Sequence, residues 1–542
     1  LRCSADGGSI VTAGAQDSKY SRTIAGVSTY GYLDSSTGST STVTINGGST
    51  LTATATATNS AIIEVTGNLE SSSIAGLIAT TNTGGIQVKI SNQSLVALSG
   101  NAENSSILRV SSPTTDGALC VGILAFLDTV SLGGTRTSEV HVESGSSVSV
   151  SGIAKGNSSI SALLDSAAAW GAVAVGVAAI GSPAKVTIAS ASSLLISGKA
   201  EQDSNITATA KEIGVAVSVA TWGSGGFVFV STSSTCTLLG VANERSAIRG
   251  VSSAVGLFAQ GSVHLTMLQV SDGSNVTVLA TAAMNSTISA IAEHSDLLIA
   301  SAAGIALWTD NNPSIIIISI DAHVLLAASA SNGSRISAFC AQGGVAVAGL
   351  LSISLRSSSQ VLLNERSALD MRGTADASAT IEATSDTVAT IGVASWGHTH
   401  SQVMVKDNST LSAEGTSANG SIINSTAEVN MAATAGLTVF SKTTSATCNV
   451  SASSGVDLRG VALGQSRILS NTTHSSIAII AGISVVGQTT ETMLAIAGGS
   501  NSRVSTHASS LGGSAVAAFA KESSANVAGL TLFGPLPSTL LI

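Results

Sequence analysis

The stretch Val403-Met-Val405-Lys-Asp407-Asn408-Ser-Thr-Leu411-Ser-Ala-Glu-Gly415-Thr-Ser417-Ala-Asn419-Gly-Ser-Ile-Ile423 decides the fold of this chain. It holds an apolar pair two residues apart, then an anchor leucine. A glycine follows four beyond the anchor, a serine two further on, and an isoleucine twelve beyond it. Alternate residues of a strand share one face, so apolar residues two apart among Ser and Thr read as β rather than helix. The same grammar returns along the whole chain. Its anchors are Leu51, Val96, Val148, Leu194, Cys236, Val276, Val324, Leu369, Leu411, Val456 and Val504, spaced 40 to 52 residues apart.

Four residues beyond every anchor stands Gly or Ala: Ala55, Gly100, Gly152, Gly198, Gly240, Ala280, Ala328, Gly373, Gly415, Gly460 and Ala508. Twelve beyond comes a branched apolar residue, from Ile63, Leu108, Ile160 and Ile206 to Ile423, Ile468 and Val516. Six and eight before the anchor lie pairs such as Val88/Ile90, Val140/Val142 and Cys448/Val450, a pattern that only the repeat anchored on Val504 breaks. A fourth element opens Gly-apolar, as in Gly122-Ile123, Gly304-Ile305 and Gly392-Val393, with an aromatic four beyond its Gly at Tyr30, Phe126, Trp308, Trp396, Phe440 and Phe533. Each unit therefore holds four short strands.

Two architectures accommodate four strands in such a unit. A β-propeller-like array would need eleven or twelve blades, beyond the usual range of about four to eight, and the Trp-Asp and Gly-His signals of propeller blades are missing. A right-handed parallel β-solenoid, or β-helix, of 11–12 repeats fits better, because stacking equivalent positions explains both the isoleucine ladder and the small position. The pattern leaves open whether each repeat is one large coil or two smaller ones. The expected organisation is an N-terminal segment over 1–25, a continuous solenoid over 26–534 and an extended C-terminal tail over 535–542.

The composition narrows the function. Only 10% of the 542 residues are charged, net charge is −9, and no basic cluster exists to hold nucleic acid. The apolar runs, such as Ala167 to Ile180, are shorter than the ~18 residues a membrane-spanning helix needs. The five cysteines are dispersed, which suits neither a disulfide framework nor a zinc site. Cys236 and Cys448 read as core residues, since each takes a repeat position otherwise filled by Val, Leu or Ile. The chain opens Leu1-Arg2-Cys3, which reads as a removed leader or a longer parent.

Twelve Asn-X-Ser/Thr sequons occur, at Asn92, Asn104, Asn157, Asn205, Asn275, Asn285, Asn332, Asn408, Asn419, Asn424, Asn449 and Asn471. Six of them, Asn104, Asn157, Asn205, Asn285, Asn332 and Asn419, are expected in one recurring turn, where a glycan projects into solvent. The competing reading is that Asn and Ser are simply good turn residues. Glycosylation would place the protein outside the cell or on its surface, by way of a eukaryotic secretory pathway.

Nothing in the repeat collects catalytic groups. Asp370, Asp376, Asp407 and Glu414 are scattered, so no enzyme and no cofactor is expected. His398 and His400 read as a solvated pair rather than metal ligands, and the recurring aromatics as a structural ladder. The end of the chain, with Pro535, Leu536, Pro537, Leu540, Leu541 and Ile542, is expected to leave the solenoid and add itself to a neighbour by strand pairing.

The segments Val405-Lys-Asp-Asn-Ser-Thr-Leu411 and Val270-Ser-Asp-Gly-Ser-Asn-Val276 resemble those of pectin-lyase-like β-helix surface proteins. Over residues 40 to 534 the texture is similar to that of the Ser/Thr-rich β-helical surface glycoproteins of kinetoplastid protists, including the dispersed gene family. The resemblance implies a fold class and a surface role, and no functional residue. The expected function is a non-enzymatic structural glycoprotein whose subunits self-associate end to end into a filament or coat. The alternatives are an adhesin that binds through its variable loops and, more remotely, a polysaccharide-active enzyme.

Overall fold

The computed structural model describes residues 1–15, 22–31, 41–67, 72–81, 85–112, 117–127, 137–164, 171–210, 213–292, 299–472, 477–487, 491–497, 502–520, 525–533 and 538–541. Among them every regular element is a strand, and no helix is present. The chain packs as two compact units, Leu1–Gln260 with Thr281–Leu297, and Gly261–Ala280 with Leu298–Ile542. Each is a right-handed parallel β-solenoid.

One coil of the first unit shows how the sequence grammar folds. The apolar pair makes a short approach strand, Ser138–Val142, and a two-residue turn leads into the anchor strand, Ser147–Lys155. A second turn precedes the ladder strand, Ser159–Leu164, and the Gly-apolar element forms the glycine strand, Gly171–Gly181. Each strand pairs in parallel with its equivalent one repeat away, Val148 with Val96 and Leu194, and Ile160 with Leu108 and Ile206. A repeat is therefore one large coil, not two small ones. The second unit repeats the register: Leu369 pairs with Leu411 and Leu411 with Val456, while Ile381, Ile423, Ile468 and Val516 stack in turn.

Anchor strands alternate buried and half-exposed residues, as a strand with one wet face must. The glycine strand does not alternate. All eleven residues of Gly171–Gly181, and likewise of Gly117–Leu127 and Ile299–Thr309, are buried, which is why these segments read as unbroken small apolar runs. The strand folds back on itself about its middle. A Cβ on Gly171 would lie 2.5 Å from Ile180 Cδ1, and one on Gly344 would lie 2.4 Å from Ile353 Cδ1. In the coil after Ile299–Thr309 the bend divides it into Gly344–Ala346 and Leu350–Ser354, around Ala348 at φ 47°.

The always-small position has a specific cause. It faces the glycine strand of its own coil across the core, so that a Cβ on Gly152 would fall 2.3 Å from Val175 Cγ2, and one on Gly198 2.2 Å from Val217 Cγ2. At the bend, Gly122 has φ +142°, and a Cβ there would meet Gly176 O of the next coil at 1.8 Å.

Three expectations need correction. Residues 1–25 are no separate segment: Arg2–Ala5 and Ile10–Ala15 already pair with the anchor and ladder strands of the following coil. The repeat anchored on Val504 keeps its apolar pair, because Leu494 and Ile496 register with Cys448 and Val450, and two more residues separate them from the anchor. The tail does not leave the solenoid either. Ser538–Leu541 pairs in parallel with Thr492–Ala495, so Leu540 continues the ladder of Cys448 and Leu494. Pairing lays Leu540 against Leu494, so apolar surface that a free tail would leave in water is covered. Pro535, Leu536, Pro537 and Ile542 lie outside the described residues.

Candidate functional site

The turns carry most of the sequence-predicted site residues. After each anchor strand two consecutive residues adopt the left-handed conformation: Asn59-Ser60, Asn104-Ser105, Gly156-Asn157, Gln202-Asp203, Glu244-Arg245, Met284-Asn285, Asn332-Gly333, Ala377-Ser378, Asn419-Gly420, Gly464-Gln465 and Gly512-Gly513. That conformation is costly for most L-residues and least so for Gly and Asn, which accounts for their recurrence. The residue after each such pair is nearly always serine.

Those serines form a ladder that sequence reasoning missed. The amide of Ser106 donates to Ser158 Oγ at 3.0 Å, that of Ser158 to Ser204 Oγ at 3.0 Å, that of Ser204 to Ser246 Oγ at 3.1 Å, and that of Ser246 to Ser286 Oγ at 3.1 Å. A second ladder follows the turn before the anchor, from Ser94 through Ser146 and Ser192 to Ser234, each step 3.2 Å. The second unit builds both kinds, as in Ser367 to Ser409 to Ser454 and Ala379 to Ser421. These hydroxyls are buried, so each accepts a peptide N–H that would otherwise go unpaired. The signal was legible: a serine two before and ten beyond almost every anchor.

Nine sequon asparagines are exposed: Asn92, Asn104, Asn157, Asn205, Asn275, Asn285, Asn332, Asn408 and Asn419. Asn424, Asn449 and Asn471 are half-buried on strands, and Asn471 Nδ2 donates to Asn424 Oδ1 at 3.4 Å. Asn205 opens the strand Asn205–Thr209 instead of sitting in the turn, which Gln202 and Asp203 occupy. At Asn92, Asn104, Asn332 and Asn419 the sequon arises because the left-handed position favours Asn and the buried ladder position two residues on takes Ser. The good-turn-residue reading thus has a structural basis at these sites.

The remaining candidates separate. Trp308, Ile353, Trp396, Phe440, Val486 and Phe533 stack in register as one ladder, with the rings of Trp396 and Phe440 6.1 Å apart and 6° from parallel. Cys236 and Cys448 are buried in apolar ladders, and burial pushes their thiols up to about 12. His400 Nδ1 lies 2.5 Å from Ser445 Oγ, and His398 precedes the strand. Asp370 pairs with His323 at 3.1 Å, and Asp376 accepts from Asn419 at 2.7 Å. Among the described residues no three His, Cys, Asp or Glu side chains converge as metal ligands would, and no helix is long and apolar enough to cross a membrane.

Comparison of the chain with protein-family models, with curated proteins and with solved structures found no match.

Proposed function

We propose that the protein is a non-enzymatic structural glycoprotein of the extracellular space or cell surface, whose solenoids join end to end. The observation that carries this reading is the coil-to-coil register, in which each coil covers the strand edges and apolar ladders of its neighbour. The strands of residues 503–541 continue the register of the preceding coil. Leu530, Phe533 and Leu540 are 37%, 54% and 50% exposed, whereas their mates Ile483, Val486 and Leu494 are buried. Unpaired strand edges over apolar side chains are what a further parallel coil covers. A second copy supplies such a coil head to tail, and a heterologous contact of that kind propagates. The exposed sequon turns and the Ser/Thr faces support the glycoprotein part, although at Asn92, Asn104 and Asn419 the nitrogen that would carry the sugar also donates to the preceding coil.

Sedimentation velocity over a concentration series tests the assembly. The expected result is growth of large species with concentration, suppressed by Leu530→Lys with Leu540→Lys, which charge the open end without altering any earlier coil. A single monomeric boundary at every concentration would contradict it. Glycan occupancy is read separately by intact mass before and after peptide-N-glycosidase treatment, with a shift expected for chain secreted from eukaryotic cells.

A further inference from the structure

The turn Asn46-Gly47-Gly48-Ser49 joins the approach strand Ser41–Ile45 to the anchor strand Thr50–Thr58, and all four of its residues are exposed. Gly47 and Gly48 take the left-handed conformation, at φ +71° and +72°. Three donors converge on the side-chain oxygen of Asn46: the Gly47 amide at 2.7 Å, Asn92 Nδ2 of the next coil at 2.5 Å and Ser91 Oγ at 3.3 Å. Two other Asn-Gly pairs, Asn332-Gly333 and Asn419-Gly420, are arranged differently. There the glycine amide donates to the next coil, Gly333 to Ala377 O and Gly420 to Gly464 O, each at 2.9 Å. At the Asn46 turn the coil-to-coil bond is made by Gly48 instead, to Asn92 O at 2.7 Å, and the Gly47 nitrogen faces the side chain of Asn46.

A peptide nitrogen beside its own side-chain amide can displace ammonia from it, and donors on the carbonyl oxygen stabilise the negative charge that develops there during attack. We infer that Asn46 is a self-modification site: the Gly47 nitrogen bonds to Asn46 Cγ, the Cγ–Nδ2 bond breaks, and Nδ2 leaves as ammonia with the proton from Gly47. Water then opens the cyclic imide and returns a proton to the Gly47 nitrogen. Attack at one carbonyl leaves a carboxylate side chain at position 46; attack at the other moves the backbone link onto the side chain. No atom lies within 4 Å of where a Gly47 Cβ would stand, so the approach is open. The aspartate product has a precedent in the same chain, because Asp6-Gly7-Gly8-Ser9 is this turn with Asp in place of Asn. Asp6 Oδ1 accepts from the Gly7 amide at 2.9 Å, from Thr58 Oγ1 at 2.9 Å and from Asn59 Nδ2 at 2.7 Å, and the bonds from Thr58 and Asn59 hold its carboxyl below the usual carboxylate range. Ser9 and Ser49 close the two turns alike, donating to the carbonyl three residues back at 2.6 and 2.5 Å. A carboxylate accepts more strongly than an amide, so the reaction tightens the bond from Asn92 and with it the contact between these two coils. The inference rests on neither end-to-end assembly nor glycosylation.

Peptide-mapping mass spectrometry tests it on the full chain made in bacteria, hence without glycans, and held folded at neutral pH while the three Asn-Gly pairs are read side by side. The expected result is the mass gain of an amide-to-acid exchange at Asn46, running about threefold to tenfold ahead of Asn332 and Asn419, whose glycine amides must first give up a hydrogen bond. In urea, where no turn persists, the three should react alike. Asn92→Ala removes one donor from the attacked carbonyl and should slow Asn46 by a similar factor without changing the other two, with circular dichroism identical to the parent as the check on folding. Asn46→Asp, the product itself, should unfold at a temperature no lower than the parent. The proposal is overturned if Asn46 in the folded chain reacts no faster than Asn332 and Asn419, or if Asn92→Ala leaves its rate unchanged; a lower unfolding temperature for Asn46→Asp contradicts the tightening.

Discussion

At the scale of single residues, the fold is set by atoms that must be absent or that must accept a particular bond. Gly122→Ala places a Cβ against backbone oxygen at a positive φ, so nothing flexible can yield, and Gly152→Val crowds Val175. Both should lose at least about 1–3 kcal/mol in denaturant unfolding. Gly455 has open space around its missing Cβ and ordinary φ, so Gly455→Ala should be neutral or stabilising by up to about 1 kcal/mol in the same assay. Ser204→Ala strands the buried amide of Ser158 and should cost about 1–3 kcal/mol. The cysteines add a pH dependence. Folded Cys120, Cys236 and Cys448 keep protons that the unfolded chain releases above pH 9.0, since burial raises them to about 12. Their contribution is therefore whole below pH 9.0 and is lost as pH rises toward about 12. Unfolding midpoints should fall between about pH 8 and pH 10.5, and fall less in Cys236→Val.

At the scale of the element, the anchor strand and the glycine strand are coupled by one contact type repeated from coil to coil. Gly152→Ala and Val175→Ala should each destabilise, the first by crowding and the second by leaving a cavity. Together they should cost less than their sum, by about 0.5 kcal/mol or more, because the added methyl occupies the space that the valine vacates. Additive costs in that double-mutant cycle would show that the two strands do not pack as described. The anchor, ladder and approach strands were legible because each has one wet face, so the alternation of Val148, Val150 and Gly152 with Ser147, Ser149 and Ser151 fixes the face and thereby the register. The glycine strand was legible only as a glycine followed by apolar residues, since burial on both faces erases the alternation and hides the bend. The serine ladders were overlooked for a different reason. Serine is so common in this chain that an almost invariant serine does not stand out, although its buried hydroxyl is what the structure requires. The crevice lined by Gln342, Asp386 and Asn430 was not legible at all, because these residues hold no repeated position and meet only through the coil-to-coil register.

At the scale of the whole molecule, repetition makes each coil the support of the next, which covers its apolar side chains and pairs its backbone edges. Removing residues 535–542 deletes the strand that pairs with Thr492–Ala495 and should slow assembly in light scattering while leaving the circular dichroism of earlier coils unchanged. The shortage of charge fits the same organisation, because residues pack either in ladders or on hydroxyl-bearing faces, where glycans at Asn104 or Asn332 would supply solubility. The central claim is that these solenoids continue one another through the same parallel register that builds each of them. X-ray fibre diffraction from aligned, concentrated protein tests this most directly. The account predicts a sharp meridional reflection at about 4.8 Å from strands stacked along the fibre, lost when Leu530 and Leu540 are changed to lysine. Isotropic scattering from discrete monomers at every concentration would contradict it.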